Sequence, residues 1–335
     1  MKISFIKSLA VVASLCLLTM LGGCIKNKVK IIVDEDGSGH LIVSRIFGKE
    51  MVDAYEQQME QMEMQMPASV QMPEDPFYNE EQIKMEAGQY GPGVEFLKAK
   101  KYSRDGNRGY VAVYKFADIN EIFVNLDNSQ TLTQSMTPSM PGMEAEMQVA
   151  EKSENAISFE LERDEINKLH VDVPEYPAPK KDAAEIADDA ADQPAFDAPE
   201  TQMMVQQMEA TGNPYGITGK ETRGEMIKKI MKGLAFSVSL QVRAPEQDAD
   251  AEHVRTTSKG DNRYVLLNMD MDQMLTDDEC IRIMCGDDTA DMGPMAGMMS
   301  PGGGLQFFSD MNGYKGMTIQ TNNFTVSFAG AKEND

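Results

Sequence analysis

Residues 234–243 carry an unbroken alternation in which Phe236, Val238, Leu240 and Val242 all point one way. A period of two puts these four apolar side chains on one face of a pleated strand. The same period returns at Val29, Ile31 and Val33 and at Ile157, Phe159 and Leu161, while 41–47 is apolar and β-branched. Turn chemistry at 34–39 makes 28–47 a hairpin. Two further strands are expected near 93–102 and 109–116, split by Arg104-Asp105-Gly106-Asn107, and another over 263–269. Helical spacing of three and four replaces the alternation at Val52, Tyr55, Met59, Met62 and Met66. It returns at Met226, Ile227, Ile230 and Met231, where Gly233 ends the helix. The expectation is an α+β fold: an antiparallel sheet with a few amphipathic helices.

Two stretches share a local plan. Asp105-Gly106-Asn107-Arg108 leads into a strand and then Asp118-Ile119-Asn120-Glu121; Gly260-Asp261-Asn262-Arg263 leads into a strand and then Asp270-Met271-Asp272-Gln273. Both read as turn, strand and short helix with Asp at the N-cap and Glu or Gln three residues on. Duplication and convergence on one local solution explain this equally well. The 263–275 unit would complete a sheet that the first 125 residues leave short of strands. One discontinuous domain is therefore expected, with its parts at 24–172 and 213–335. Between them, 173–212 mixes Pro and Ala with acidic residues and has too little apolar surface to offset the entropy of ordering. It reads as a disordered linker. Residues 126–155 read as a long loop, 286–304 as a Met/Gly-rich loop, and 305–328 as a terminal hairpin turning at Asn312-Gly313.

Composition narrows the function. The 335 residues carry 31 Lys+Arg against 54 Asp+Glu, a formal charge of −23, so a phosphate backbone would repel the chain and nucleic-acid binding is excluded. A hydrophobic content of 41% with 7% aromatics and no Trp supports one modest core rather than two large ones.

The amino terminus adds a compartment. Lys2 and Lys7 precede a mainly apolar run over 9–21, too short for a bilayer span of about 20 residues but suited to a signal-peptide core. Leu21-Gly22-Gly23-Cys24 follows and resembles the lipobox of bacterial lipoproteins. That resemblance implies removal of 1–23 and acylation of Cys24, a covalent lipid rather than a cofactor. It makes a membrane the first partner through the lipid anchor. With Ile25 rather than Asp after the Cys, the family rule further implies an outer-membrane location facing the periplasm. Lys26, Lys28 and Lys30 alternate with apolar residues just beyond. They suit either anionic headgroups, at about 1 kcal/mol each near such a surface, or the polar positions of an exposed strand edge.

The combination of a lipidated Cys, an early strand pair around Asp34-Glu35-Asp36-Gly37-Ser38-Gly39 and later strand-to-short-helix units resembles LppM-type envelope lipoproteins, over 28–47, 91–124 and 234–275. The resemblance implies a non-catalytic envelope domain that holds a lipid or glycolipid in an apolar cavity.

Motifs for chemistry are sparse. The 34–39 segment has Asp34, Asp36 and Ser38 in calcium-loop phase, but Arg45 stands where a bidentate Glu is required, so a hairpin turn is expected. Gly216-Ile217-Thr218-Gly219-Lys220 fails as a phosphate loop because Pro214 replaces its first Gly. Only three His occur, His40 in a turn, His170 near a strand end and His253 in a polar stretch, and with no nucleophile motif they argue against an enzyme. Of four Cys, Cys280 and Cys285 remain for a disulfide, which on this spacing needs a loop or a broken helix end. A small structural staple is expected there. Methionine is the outlier, 28 residues in bursts such as Met292, Met295, Met298 and Met299. Thioethers in loops are soft ligands for Cu(I) or an adaptable contact surface. The reading is a lipid-anchored, non-enzymatic envelope protein that binds or scaffolds a lipid or protein partner, the alternative being extracytoplasmic Cu(I) binding by Met-rich loops.

Overall fold

Strand β1 (Ile25–Val33) is hydrogen-bonded along both edges. The computed structural model describes residues 25–63, 75–126, 150–177, 222–256, 262–285 and 303–330. β1 pairs antiparallel with β2 (Gly39–Phe47), from Ile25↔Phe47 to Val33↔Gly39. The intervening turn is held by an Asp34 N–H to Ser38 carbonyl bond of 2.8 Å, and Ser38 N–H and Oγ donate to Asp36 Oδ1. Those Ser38 bonds hold the Asp36 carboxyl below its usual range. The acidic segment is thus a hairpin turn whose carboxylate is satisfied internally.

After helix α1 (Lys49–Glu63) and helix α2 (Glu80–Met85), β3 (Glu95–Arg104) and β4 (Asn107–Phe116) form the second hairpin. Asp105 and Gly106 both have positive φ, 53° and 81°, the requirement of a two-residue turn matched to strand twist. Next come β5 (Phe123–Asn125), β6 (Ala156–Glu162) and β7 (Ile166–Asp172), then helix α3 (Arg223–Met231) and β8 (Ala235–Val242). β9 (Glu246–Ala249), β10 (Val254–Thr256) and β11 (Asn262–Asp270) lead into the short helix α4 (Met271–Met274) and helix α5 (Asp278–Cys285). Helix α6 (Gly303–Asp310), β12 (Met317–Ile319) and β13 (Phe324–Ala329) complete the described chain.

Among the described residues the strands form two sheets. The larger runs β10-β11-β8-β1-β2-β4-β3, with β12 on β11; the smaller runs β5-β6-β7-β13-β9. Every pairing is antiparallel except β1 with β8, which joins the first strand to residues more than two hundred positions away. The architecture is mixed α and β with mostly antiparallel sheets. One apolar core spans both sheets. Tyr264 of β11 meets Phe324 of β13 at 5.6 Å between ring centroids, and Tyr114 of β4 donates to the Ile83 carbonyl of α2 at 2.8 Å.

Four expectations change. The terminal hairpin over 305–328 is not formed: Leu305, Phe307, Phe308 and Met311 are all buried on and just beyond α6, at spacings of three and four that a strand cannot turn to one side. Asn312-Gly313 lies just beyond the helix, with Gly313 at φ 93°, and β12 and β13 join different sheets. Residues 173–177, expected as the start of the linker, lie against the folded domain: Val173 and Tyr176 pack on the core and the Pro177 carbonyl accepts from Ser309 Oγ. Residues 178–212 lie outside the described residues. Cys280 and Cys285 are free thiols, because α5 continues through both positions without the break that a bridge requires. His40, expected in the turn, lies on β2.

Candidate functional site: a lysine-lined groove on the first strand

The site grows from the pleat of β1. Asn27 and Val29 turn inward and are buried, so Lys26 and Lys28 must turn outward, and both are exposed. On β8 their partners are Ala235 and Ser237, and on β11 the row continues to Asp270 and Asn268. Small side chains on β8 leave a depression. Helix α4 closes one end with Asp272 and Gln273, and Lys315 enters from the loop before β12. The groove encloses about 280 Å³.

Its charges are unequal in their freedom. Asp270 caps α4, accepting from Gln273 N–H at 3.3 Å and from Gln273 Nε2 at 2.7 Å. Asp272 accepts the Gly233 N–H at 2.7 Å. Both carboxylates therefore already have partners that belong to the fold. Lys26, Lys28 and Lys315 make no ion pair among the described residues. Two lysines at alternate positions of one strand stand roughly 7 Å apart, suiting two oxygens of a phosphate or carboxylate group. Ser237, Asn268 and Thr276 line the same groove and supply neutral hydrogen-bonding groups. The groove thus sets three ammonium groups beside two carboxylates that are already engaged.

Of the residues singled out from sequence, Cys24 lies outside the described residues and directly precedes Ile25, the first residue of β1. Met292, Met295, Met298 and Met299 also lie outside them. Cys280 is buried against Met311, with 3.6 Å between sulfurs, and burial pushes its thiol pKa up to about 12. Asp34 is engaged by Arg243 at 3.4 Å. His170 has Thr325 Oγ1 at 2.9 Å from Nδ1 and Glu162 at 3.5 Å from Nε2, a ladder across three adjacent strands. Glu162 is 60% exposed there, so the ladder sits on open sheet surface. Among the described residues no group of three or more His, Cys, Asp or Glu is placed to hold a metal ion, and no helix is long and apolar enough to cross a membrane.

One buried network was not anticipated. Arg45 projects from the inner face of β2, and its Nη1 donates to Glu86 Oε1 at 2.8 Å; Tyr110 Oη donates to the same carboxylate at 2.8 Å. Burial pushes the Arg45 guanidinium toward deprotonation, but the Glu86 carboxylate together with Tyr110, Tyr90 and Tyr114 more than offsets this and holds it charged. The sequence signal is Arg45 falling in phase with inward-facing Leu41, Val43 and Phe47. The network ties the turn after α2 to the underside of β2 and β4.

Searches with the sequence give no match to a family model and none to a curated protein. Among solved structures, the NMR structure of the folded domain of LppM from Mycobacterium tuberculosis is aligned over 93% of this chain and 94% of that one, at 7% identity and a TM-score of 0.25. That is a weak likeness to a lipoprotein domain.

Proposed function

We propose that this chain is a lipid-anchored envelope lipoprotein, held through acyl chains on Cys24, with a non-enzymatic role in binding or scaffolding a lipid or protein partner. The observation that carries the reading is continuity: the thiol at the end of the lipobox-like segment is followed immediately by β1, whose second and fourth residues line the groove. Two or three acyl chains, at about 0.8 kcal/mol per buried methylene, make a lasting anchor. With no spacer after Cys24, the anchor brings the groove to the membrane surface. The absence of Asp after the Cys points to the outer membrane, facing the periplasm. Unpartnered ammonium groups without a paired base suit recognition of an anionic group rather than its conversion.

Intact mass measurement of the protein extracted from its own membranes tests the anchor. The expected product begins at Cys24 and carries a thioether-linked diacylglyceryl group, and Cys24→Ala abolishes that processing. A native chain that keeps 1–23, or carries a bare thiol at 24, refutes the proposal. Co-purification of the native lipoprotein with its lipids and neighbours then identifies the partner class.

A further inference from the structure

The groove is one margin of a larger surface. Register across the big sheet places Lys28, Ser44, Val111 and Lys100 in one row and Lys30, Ile42, Val113 and Lys98 in the next, with Lys26, Ile46, Gly109 and Tyr102 beside them. Directly opposed residues share a face, so the outer face of β1-β2-β4-β3 carries five lysines in two columns. Between the columns lie half-buried Ile42, Ile46, Val111 and Val113. Three inter-strand steps separate the columns, roughly 14 Å. No carboxylate stands in these rows on β1, β2, β4 and β3; the Lys26 row meets one, Asp270, only across β8 on β11, where it caps α4. Glu95, one row further on, is paired with Lys115 at 2.8 Å. Lys26, Lys28, Lys98 and Lys100 are exposed and make no ion pair among the described residues.

On a chain of formal charge −23, such a face is a marked local reversal of sign. We infer that the outer face of β1-β2-β4-β3 is a docking surface for an anionic phospholipid leaflet, with the lysines among the headgroup phosphates and the central Ile and Val side chains against the headgroup boundary. Charge complementarity selects this occupant. Fields from the acidic remainder of the molecule decay within about 8 Å at physiological salt, so a leaflet in contact meets the lysines and little else. Lysine stems flank the apolar strip and let the ammonium groups reach outward. The lysine-lined groove then continues the docking surface at its β8 margin. The inference rests on the envelope reading only for its setting, since the face exists whether or not Cys24 is acylated.

Acylation footprinting of lysines on the full mature protein in vesicles is the test. In phosphatidylcholine vesicles containing phosphatidylglycerol, Lys26, Lys28, Lys98 and Lys100 should label at least about tenfold more slowly than in pure phosphatidylcholine, given about fivefold in affinity per lysine near an anionic surface. High salt should remove the protection. Exposed Lys152 and Lys168 on other parts of the molecule should label alike in both lipids. In the combined variant K26Q, K28Q, K98Q and K100Q, the remaining Lys30 should label equally in both. Equal labelling of the four lysines in the two lipids, or protection that extends to Lys152 and Lys168, overturns the inference. Should Cys24 carry no lipid, the same footprint on protein added to vesicles from outside still decides the docking question, so failure of the anchor and failure of the face read out separately.

Discussion

Replacing Glu86 by Gln removes one charge from a site that cannot rehydrate. Arg45 is 5% exposed and Glu86 3%. The isosteric amide keeps an oxygen for Arg45 Nη1 and for the Tyr110 hydroxyl, so the perturbation is almost purely the loss of the countercharge. An uncompensated buried cation costs about 3–5 kcal/mol. Glu86→Ala adds the loss of an acceptor for Tyr110, a further 1–3 kcal/mol or so. Against a domain stability of about 5–15 kcal/mol, Glu86→Gln should remove a large fraction of the total. The double variant Arg45→Met with Glu86→Leu should recover most of it, because no charge is then buried, and Tyr110→Phe in that background should recover part of the remainder. Urea unfolding followed by tyrosine fluorescence reads this directly in a protein with 10 Tyr and no Trp. The midpoint should fall while the denaturant slope stays constant. A Glu86→Gln protein within about 1 kcal/mol of the parent, well below the cost of an unpaired buried charge, refutes the reasoning. So does a double variant whose loss is the sum of the singles.

Other consequences follow from single contacts. Gly109 has φ 150°, and a Cβ there would lie 2.1 Å from the Arg45 carbonyl oxygen across the strand pair, so Gly109→Ala should cost several kcal/mol by forcing β2 and β4 apart, or about as much as the larger core lesions; the urea midpoint checks it. Because burial lifts the Cys280 thiol to about 12, Ellman's reagent at pH 8 should leave Cys280 unmodified in the folded protein and modify it on unfolding, as mapped by peptide mass. Thr222 accepts the Glu225 N–H at 3.3 Å while Glu225 Oε2 accepts the Thr222 N–H at 3.0 Å. Thr222→Ala should therefore cost about 1 kcal/mol, seen in the same unfolding curve.

The elements that alternation or helical spacing marked clearly in the sequence are all present in the structure: β1, β6 and β8, and helices α1 and α3. Each announces itself through a local pattern that one face of one element must satisfy. What the pattern cannot carry is partner choice. The parallel pairing of β1 with β8 depends on which strand edge is free once the whole chain has collapsed. α6 was missed because Gly302, Gly303 and Gly304 depress helix propensity just where Leu305, Phe307 and Phe308 begin their helical spacing. The same limit hid the lysine face. Lys98 and Lys100 sit on β3, exposed along most of its length, and a register shift between Phe96 and Lys98 sets which of its residues face outward. Only the register that places them opposite Val113 and Val111 reveals that they share a surface with Lys28 and Lys30.

An anchor at Cys24 does not by itself orient the domain. Lys30 lies six residues from Cys24, roughly 20 Å along a strand at about 3.3 Å per residue, more than twice the screening length of about 8 Å. A domain standing upright on its anchor would keep only Lys26 close enough to feel the leaflet, and Lys98 and Lys100 would contribute nothing. Laying the sheet flat brings both lysine columns within reach at once, and because β1 is hydrogen-bonded on both edges it cannot peel away to relieve the geometry. The two postures thus differ at Lys30 and Lys98 but agree at Lys26. Protection confined to Lys26 would mean that the lipid holds the protein while the face looks elsewhere, toward a protein partner; graded protection out to Lys98 and Lys100 requires the flat posture.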